Sequence, residues 1–547
     1  MRAPVQELFD TVRVAAAAVR GTAAELAVAP KLERIKREGQ GDYSTNAAML
    51  LAPVLGSPPR EIAQRIAAEL TGMLGAGLER SEVAGPGFLN LIMSAAWHRD
   101  ALGAVLQAGE RFGAAGASPP ERILIEFVSA NPTGPLVAAS GRHAAYGDAL
   151  ARILEHHGHS VAREYYFNDA GSQIRLLGES VRARACGETV PEGGYQGDYV
   201  LELAAELPGA ASCDSGVDQL AHRAVESLLA AIKATLARYG VRFDRYFSEQ
   251  TLHDGSPSAL DRAFATLERA GQLYKSEGAL WLRTTGFGDD KDRVVVRSSG
   301  EPTYFAADLA YMLDKRDRGF QRQLNPMGAD HHAYARELKA AMAALGGDPD
   351  SIEVPILQFV HLVEGSERAA MSKRRGEFVK LDELLDEIGV DATRFFMLQR
   401  SHDRTLDLDV ELARRQSAEN PVYYVQYAHA RIASMLRRFT ADRIAAALGP
   451  GAAWGEEELH GSERSLVKKL VSFPDEIAQA AARRAPHRIA MYSLELAQDF
   501  TAFYRDCRVV GAEPDSLESF RIALSVAARR TIALSLGLLG VGAPESM

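Results

Sequence analysis

Cysteine is scarce in this sequence: Cys186, Cys213 and Cys507 are the three in 547 residues, far apart and with no Cys-x-x-Cys pair. That spacing argues against a cysteine-built zinc site or a disulfide framework, and it favours a reducing compartment, the cytoplasm. No uninterrupted run of about 18 apolar residues occurs, which argues against a membrane span. The opening stretch MRAPVQELFDTVRVAAAAVR is broken by Asp10 and Arg13, so it reads as an amphipathic helix and not as a signal peptide. The dipeptide Gly-Lys is absent, which excludes a P-loop, and no GxGxxG follows a strand pattern. Neither HExxH nor GxSxG is found, and there is no internal repeat or long low-complexity segment. An excess of positive charge is also missing. The net charge is −10, which argues against a surface coated for nucleic acid. The balance is uneven, however. Residues 420–547 hold 15 Lys+Arg against 14 Asp+Glu, so that stretch carries +1 and the rest carries −11. Screening limits a charged patch to a reach of about 8–10 Å, so local basic patches on an acidic protein can still hold RNA.

What is present is ordinary globular composition, 47% hydrophobic and 24% charged. At roughly 150 residues per domain the length suggests three or four domains. Residues 1–110 read as a small α+β unit: the opening helix, a second helix at PREIAQRIAAEL (59–70) with proline at its start, and a strand at VAGPGFLNLIMS (83–94) entered through a Gly-Pro-Gly turn. FGAAGASPPER (112–122) reads as a linker. Beyond it ILIEFV (123–128) is a β-branched strand, SANPTGPL (129–136) a loop, and Ala138 to about His157 a helix. Strand, loop and helix open a doubly wound sheet, which binds ligands at the carboxyl ends of its strands. Residues 190–290 read as a mostly helical insertion. RVVVRS (293–298), QLNPMG (323–328) and VPILQFVHLV (354–363) resume the strands. From about 405 the pattern is helical to the end. The expected fold is therefore α/β multidomain: an N-terminal α+β domain (1–110), a Rossmann-like catalytic domain (118–405) with a helical insertion (190–290), and an all-α domain (406–547).

Two segments carry unusual chemistry. One is the stretch 126–159, from EFVSANPTGPL to the His156, His157 and His159 cluster. The other is ERAAMSKRRGEFVKLDELL (367–385), which packs Arg368, Lys373, Arg374 and Arg375 around a glycine before a helix. A loop of cations suits the charge of a triphosphate in a transition state, although a solvated basic loop has the same composition. The histidine cluster sits where a helix ends at Gly158, which favours cap and dipole roles over a metal site.

In order along the chain, GDYSTNAAMLLA (41–52), VAGPGFLN (83–90), EFVSANPTGPL (126–136), YYFNDAGSQI (165–174), PTYFAADLAYMLDK (302–315), GADHH (328–332), MSKRRG (371–376), GVDATRFF (389–396) and NPVYYVQYAHARI (420–432) resemble bacterial-type arginyl-tRNA synthetases, a family of class I aminoacyl-tRNA synthetases. The resemblance covers nearly the whole length. It implies ATP-dependent ligation of L-arginine to tRNA(Arg) through arginyl-adenylate, with release of AMP and pyrophosphate. It implies ATP as a substrate, Mg²⁺ bound with ATP and held mostly by its phosphates, a cytoplasmic monomer, and no protein-built metal site.

The resemblance also assigns residues. Glu126 and Asn131 would hold the α-ammonium of arginine. Tyr304 and Asp308, four apart on one helical face, would recognise the guanidinium with Gln358 as a further neighbour. Gly328, Asp330 and His331 would meet the nucleotide; a metal site of Asp330, His331 and His332 is the competing reading. Tyr423, Gln426, Tyr427 and Arg431 would contact tRNA, since unstacked bases take aromatics and arginine. The family's HIGH tetrapeptide falls on Val137, Ala138, Ala139 and Ser140, with Gly141 following, and neither histidine is there. What remains for phosphate is the helix N-terminus, the Ser140 hydroxyl, Arg142, and His143 as a replacement donor. In the KMSKS signature the first lysine position is Ala370. Met371, Ser372 and Lys373 remain, with Lys373 the expected stabiliser of pyrophosphate and Arg368, Arg374 and Arg122 as helpers. The departures leave two alternatives beside an active ligase: a catalytically silent tRNA-binding relative, or a class I enzyme for another amino acid.

Overall fold

The computed structural model describes residues 3–25, 28–35, 41–169, 171–207, 210, 216–331, 333–364, 367–368, 379–449 and 451–547. The N-terminal unit is a four-stranded antiparallel sheet in the order 32–34, 43–45, 88–93, 78–84. The helices Pro4–Arg20, Ala47–Leu55 and Pro59–Leu74 bury Leu8, Val12, Ile62, Ile66, Leu89 and Leu91 together with it. Gly85–Gly87 forms the expected turn. Gly87 has φ +142°, and a Cβ there would lie 2.5 Å from Pro59 Cβ, so the hairpin closes against the helix Pro59–Leu74 only with glycine. The strand Leu78–Ala84 was not expected; its sequence LERSEVA is polar because it is an edge. This unit packs on the C-terminal helices through Lys468–Asp42 at 2.7 Å and Arg464–Glu79 at 3.1 Å.

The linker lies along the end of the helix Ala138–His157: the Ala115 and Ala117 N–H groups donate to the carbonyls of His156 and His157 at 3.0 and 2.8 Å. His156 Nε2 lies 3.1 Å from Phe112 O, and His159 Nδ1 accepts from the Glu121 N–H at 3.1 Å, so two of the three histidines tie the linker down. Gly158 at φ +112° ends the helix.

Five parallel strands form the central sheet, in the order 352–353, 322–324, 122–126, 160–167, 245–248. The chain winds one way from 122–126 and the other way from 322–324. The switch point therefore lies between these two strands, just where Glu126 and Asn325 end them, and a crevice opens there. The fold class expected from the sequence is found. Two parts of the expected domain layout differ. The stretch 190–290 is not wholly helical: Arg245–Ser248 is an edge strand of the central sheet, and Leu273–Ser276 and Ala279–Leu282 pair with Arg293–Val296 in a small antiparallel sheet. The region from 406 is not wholly helical either. Leu406–Asp409 runs parallel to Val360–Glu364, burying Leu406 and Leu408 and exposing Asp407 and Asp409.

The helical region that follows opens with Val410–Arg414 and then Pro421–Leu436, whose Asn420 cap accepts from the Val422 and Tyr423 N–H groups. It ends with Asp515–Leu539. That helix is long and apolar enough by composition to cross a membrane, although Arg529 and Arg530 interrupt its apolar run, and 72% of its apolar window is buried inside the protein. Arg394, fully buried, donates to Asp148 at 2.5 Å, to Tyr239 O at 3.0 Å and to Leu539 O at 2.8 Å. One side chain thus ties the helix Ala138–His157 to the insertion and to the last helix. Cys507 is a buried free thiol, whereas Cys186 is disulfide-bonded, a cross-link the wide cysteine spacing did not disclose.

Candidate active site

The loop leaving the central strand is strained. Val128 and Ser129 have φ of +66° and +41°. A β-branched residue in that region costs about 1–3 kcal/mol and persists where surrounding structure imposes it. Beyond the loop, the first turn of the helix Ala138–His157 borders a cleft of about 480 Å³. Ala139, Ser140, His143, Gly328, Asp330 and Gln358 all line it. Most of the residues assigned to nucleotide and phosphate thus come together, although residues 139–143 and 328–330 lie more than 180 positions apart in the chain. Phe359, 58% exposed, lines the same cleft and was missed in the sequence. An exposed aromatic between two strand segments was the available signal.

Several assigned residues turn out to do something else. Ala138 is buried, and its N–H donates to Val379 O at 2.9 Å; Val137 bridges to Lys380, and the Leu381 N–H donates to Leu136 O at 2.8 Å. These bonds take one of the helix's N-terminal amides and fix the chain that leaves the 371–376 segment beside the helix start. Met371, Ser372 and Lys373 themselves lie outside the described residues, as do His332, Arg374 and Arg375; nothing is described of the Arg368 side chain. Gly141 faces the core, where a Cβ would lie 2.9 Å from Leu381 Cδ1; it allows close packing and does not line the cleft. Arg142 is 2% exposed and donates to Gln358 O at 2.8 Å and Ser401 O at 2.9 Å. Burial pushes its pKa down to about 10. It borders the cleft but is engaged as a strut between the helix and the backbone at Gln358, between two strand segments. Arg122 starts its strand, at the opposite end of the sheet from the crevice, and donates to Arg318 O at 2.8 Å. His143 is held neutral: burial, then the charge of Arg142, pushes its pKa down to about 4. Gly328 leaves room for Asp330, whose Oδ1 lies 2.6 Å from where a Cβ would sit. Asp330 and His331 are exposed, 3.4 Å apart.

A second constellation is acidic. Glu126 Oε2 accepts from Lys315 Nζ at 2.6 Å, and Oε1 lies 3.3 Å from Ser129 Oγ. Asn131 bridges the loop to its neighbours, accepting from the Asn168 N–H at 3.3 Å and donating to Gln173 at 3.1 Å. Asp308 accepts from the Tyr334 hydroxyl. Burial pushes its pKa up to about 7; the Tyr334 bond and Lys315 oppose this, while Glu126 and Glu249 add to it. Glu249 is hydrogen-bonded to Tyr166, and burial raises its pKa too. Tyr304, one turn before Asp308, is 65% exposed and lines a neighbouring cleft of about 540 Å³ together with Glu249, Asn168 and Arg297. The charges of Glu126 and Glu249 both act on Asp308, and burial raises the pKa values of Asp308 and Glu249, so negative charge is concentrated near the end of the central strand. Gln358 lines the first cleft, whereas Tyr304 lines this second one. Glu249, Tyr334 and Lys315 were not found from the sequence.

In the C-terminal helices, Tyr423 and Tyr427 stack with ring centroids 6.1 Å apart and planes 9° from parallel. Arg431 lies 5.1 Å from the Tyr427 ring centroid and 4.9 Å from that of Tyr504. Tyr427, Arg431 and Tyr504 border a groove of about 960 Å³ that also holds Arg437, Arg438, Arg505 and Arg508, whereas Tyr423 lines a neighbouring cleft. Gln426 does not join it. Its amide donates to Asp391 at 2.8 Å and Gly542 O at 2.9 Å, which anchors the C-terminal tail.

A switch-point crevice in a parallel sheet, entered over a helix N-terminus and joined to a helical domain with a basic aromatic groove, has the architecture of a class I aminoacyl-tRNA synthetase. The matching family models are arginyl tRNA synthetase N terminal domain over residues 8–93, tRNA synthetases class I (R), catalytic domain over 215–435, and DALR anticodon binding domain over 425–547. The chain is 45% identical over 538 residues to an arginine–tRNA ligase of Frankia alni, covering 94% of each chain, and 42% identical over 549 residues to one of Kineococcus radiotolerans, covering 98% of each. It superposes on the Thermus thermophilus arginyl-tRNA synthetase with a TM-score of 0.77 at 24% identity, over 99% of this chain and 100% of that one, a likeness of fold. The chain belongs to the arginine–tRNA ligase family.

Proposed function

We propose that this chain joins L-arginine to tRNA(Arg) with ATP, as a cytoplasmic monomer. The observation that carries the reading is the buried Asp308 carboxyl, on which the charges of Glu126 and Glu249 act, in a fold whose switch-point cleft is lined by Ser140, His143, Gly328 and Asp330. The arginine carboxylate attacks the α-phosphorus of ATP, the bond to the bridging oxygen breaks, and pyrophosphate leaves. A ribose hydroxyl of the terminal tRNA nucleotide then attacks the aminoacyl carbonyl, and AMP leaves. Both steps depend on placement and on charge stabilisation.

Glu126 and Asn131 receive the α-ammonium. Asp308 and Glu249 receive the guanidinium, with Tyr304 lying over it at the rim. Asn131 must exchange one of its present partners to do so. Phe359 offers the adenine a ring to lie on, and Gly328, Asp330 and His331 border the ribose. Ser140 and neutral His143 donate to phosphate oxygens in place of the absent histidines, and Lys373, of the Met371-Ser372-Lys373 signature, stabilises the leaving pyrophosphate. Asp330, an exposed carboxylate on that cleft, would face magnesium carried by the ATP phosphates, whose charge the ion would offset. Tyr423, Tyr427 and Arg431 stack with unpaired tRNA bases, and the groove arginines pair with the backbone. Retention of Glu126, Asp308 and Glu249 speaks against a silent relative.

Charging assays with tRNA(Arg) test this reading: arginine is the amino acid transferred, and lysine and citrulline are not. Tyr427→Ala raises the KM for tRNA about tenfold and leaves the KM for arginine unchanged, because base stacking contributes about 1–3 kcal/mol per base. His143→Ala lowers the activation rate about 100-fold, the cost of one preorganised donor, and leaves tRNA binding intact.

A further inference from the structure

Lys315 lies on the same helix as Tyr304 and Asp308 and is 2% exposed. A lysine buried to that degree needs partners in every direction its ammonium points. It has three. Nζ lies 2.6 Å from Glu126 Oε2, 3.1 Å from Asn325 Oδ1, and 3.9 Å from the centroid of the Tyr311 ring. The ring is fixed in turn, since its hydroxyl donates to Glu164 at 2.6 Å and Glu164 takes both amino groups of Arg318 at 2.7 and 2.8 Å. The ammonium is therefore held from beneath, between the two strands that form the switch point.

Glu126 is less constrained on its other side. Its second oxygen, Oε1, has only the Ser129 hydroxyl, at 3.3 Å, as a hydrogen-bond partner among the described residues. Its side chain keeps 18% of its exposure. Without Lys315 this carboxylate could turn about its terminal bond and would stand beside two other carboxylates with no fixed cation. We propose that Lys315 is a positioning residue for arginine: it holds one oxygen of Glu126 and so presents the other to the substrate's α-ammonium. The inference rests on the assignment of Glu126 to that ammonium. Lys315 does not touch substrate; it acts through the carboxylate it holds.

The test compares two ligands of the full-length protein, L-arginine and 5-guanidinopentanoate, which is arginine without its α-amino group. The parent protein is expected to bind L-arginine about 100-fold more tightly, the value of one hydrogen bond between charged groups. In Lys315→Met that preference falls below about tenfold, because L-arginine weakens while 5-guanidinopentanoate stays within about threefold of its parent affinity. Equal weakening of both ligands means a purely structural role and overturns the proposal, and so does an unchanged preference. Asn325→Ala, which removes the second anchor and leaves the charge in place, is expected to give an intermediate preference even if the methionine variant does not fold; full preference in Asn325→Ala counts against the proposal. Glu126→Gln separates the two levels. If it keeps the preference, the assignment of Glu126 is wrong. If it loses the preference while Lys315→Met keeps it, Glu126 is right and Lys315 is not needed to hold it.

Discussion

Asp308→Ala removes measurable arginine activation, with the KM for arginine raised at least about 1,000-fold, while ATP and tRNA still bind. Removing one partner of a shielded ion pair costs about 3–5 kcal/mol. Asp308→Asn keeps the shape and the contact with Tyr334 and loses only the charge, so it is expected to be nearly as poor. The raised pKa adds a pH signature. Burial holds the carboxyl at about 7 against an ordinary 3.8, so it is charged above pH 7 and neutral below. The KM for arginine therefore rises as pH falls below 7, by up to about tenfold per unit, and the profile of the Asp308→Asn variant is flat. The sign for stability is opposite. The folded state holds this proton more tightly than the unfolded chain, so the group's contribution declines as pH rises from about 4 to 7. Asp308→Asn should then melt no lower than the parent at pH 8. Initial rates from pH 6 to 8.5 and melting curves at pH 8 check both statements.

Lys373→Ala lowers the rate of adenylate formation by about 10²–10³ with little change in the KM for arginine or ATP, since its charge acts mainly as pyrophosphate separates. Arg374 offers no full replacement, because its planar guanidinium presents charge in a different geometry. Single-turnover measurement of the activation step separates this from a binding defect. A uniform rise in both KM values with kcat preserved would mean that Lys373 binds ground states only.

The sequence made the central helix legible almost to the residue, from Ala138 to His157, because a loop and a left-handed glycine bound it. Short strands were harder. Leu406–Asp409 carries the alternation of a half-buried strand in the letters LDLD, but four residues ahead of a long helical pattern gave it little weight. Leu78–Ala84 has an edge strand's polarity and so no apolar signal. At the site, the motif order placed Glu126, Asp308, Ser140 and Asp330 at the crevice. It did not tell which side of a helix faces the cleft, and so Ala138, Gly141 and Gln426 were given ligand roles although their burial and bonding engage them elsewhere. Lys315 and Glu249 were invisible because their partners lie far away in the chain: Glu126 is 189 residues from Lys315. Only folding brings such pairs together.

The central claim is that a chain lacking both signature histidines is a working arginine–tRNA ligase. Arginine-dependent exchange of pyrophosphate into ATP, run with and without tRNA(Arg), tests it most directly. Exchange in the presence of tRNA is the predicted result, and it would make Ala139, Ser140 and His143 a functioning variant of the phosphate site. Absence of exchange in both conditions, with tRNA still bound, would contradict the claim and leave a tRNA-binding protein on a synthetase fold.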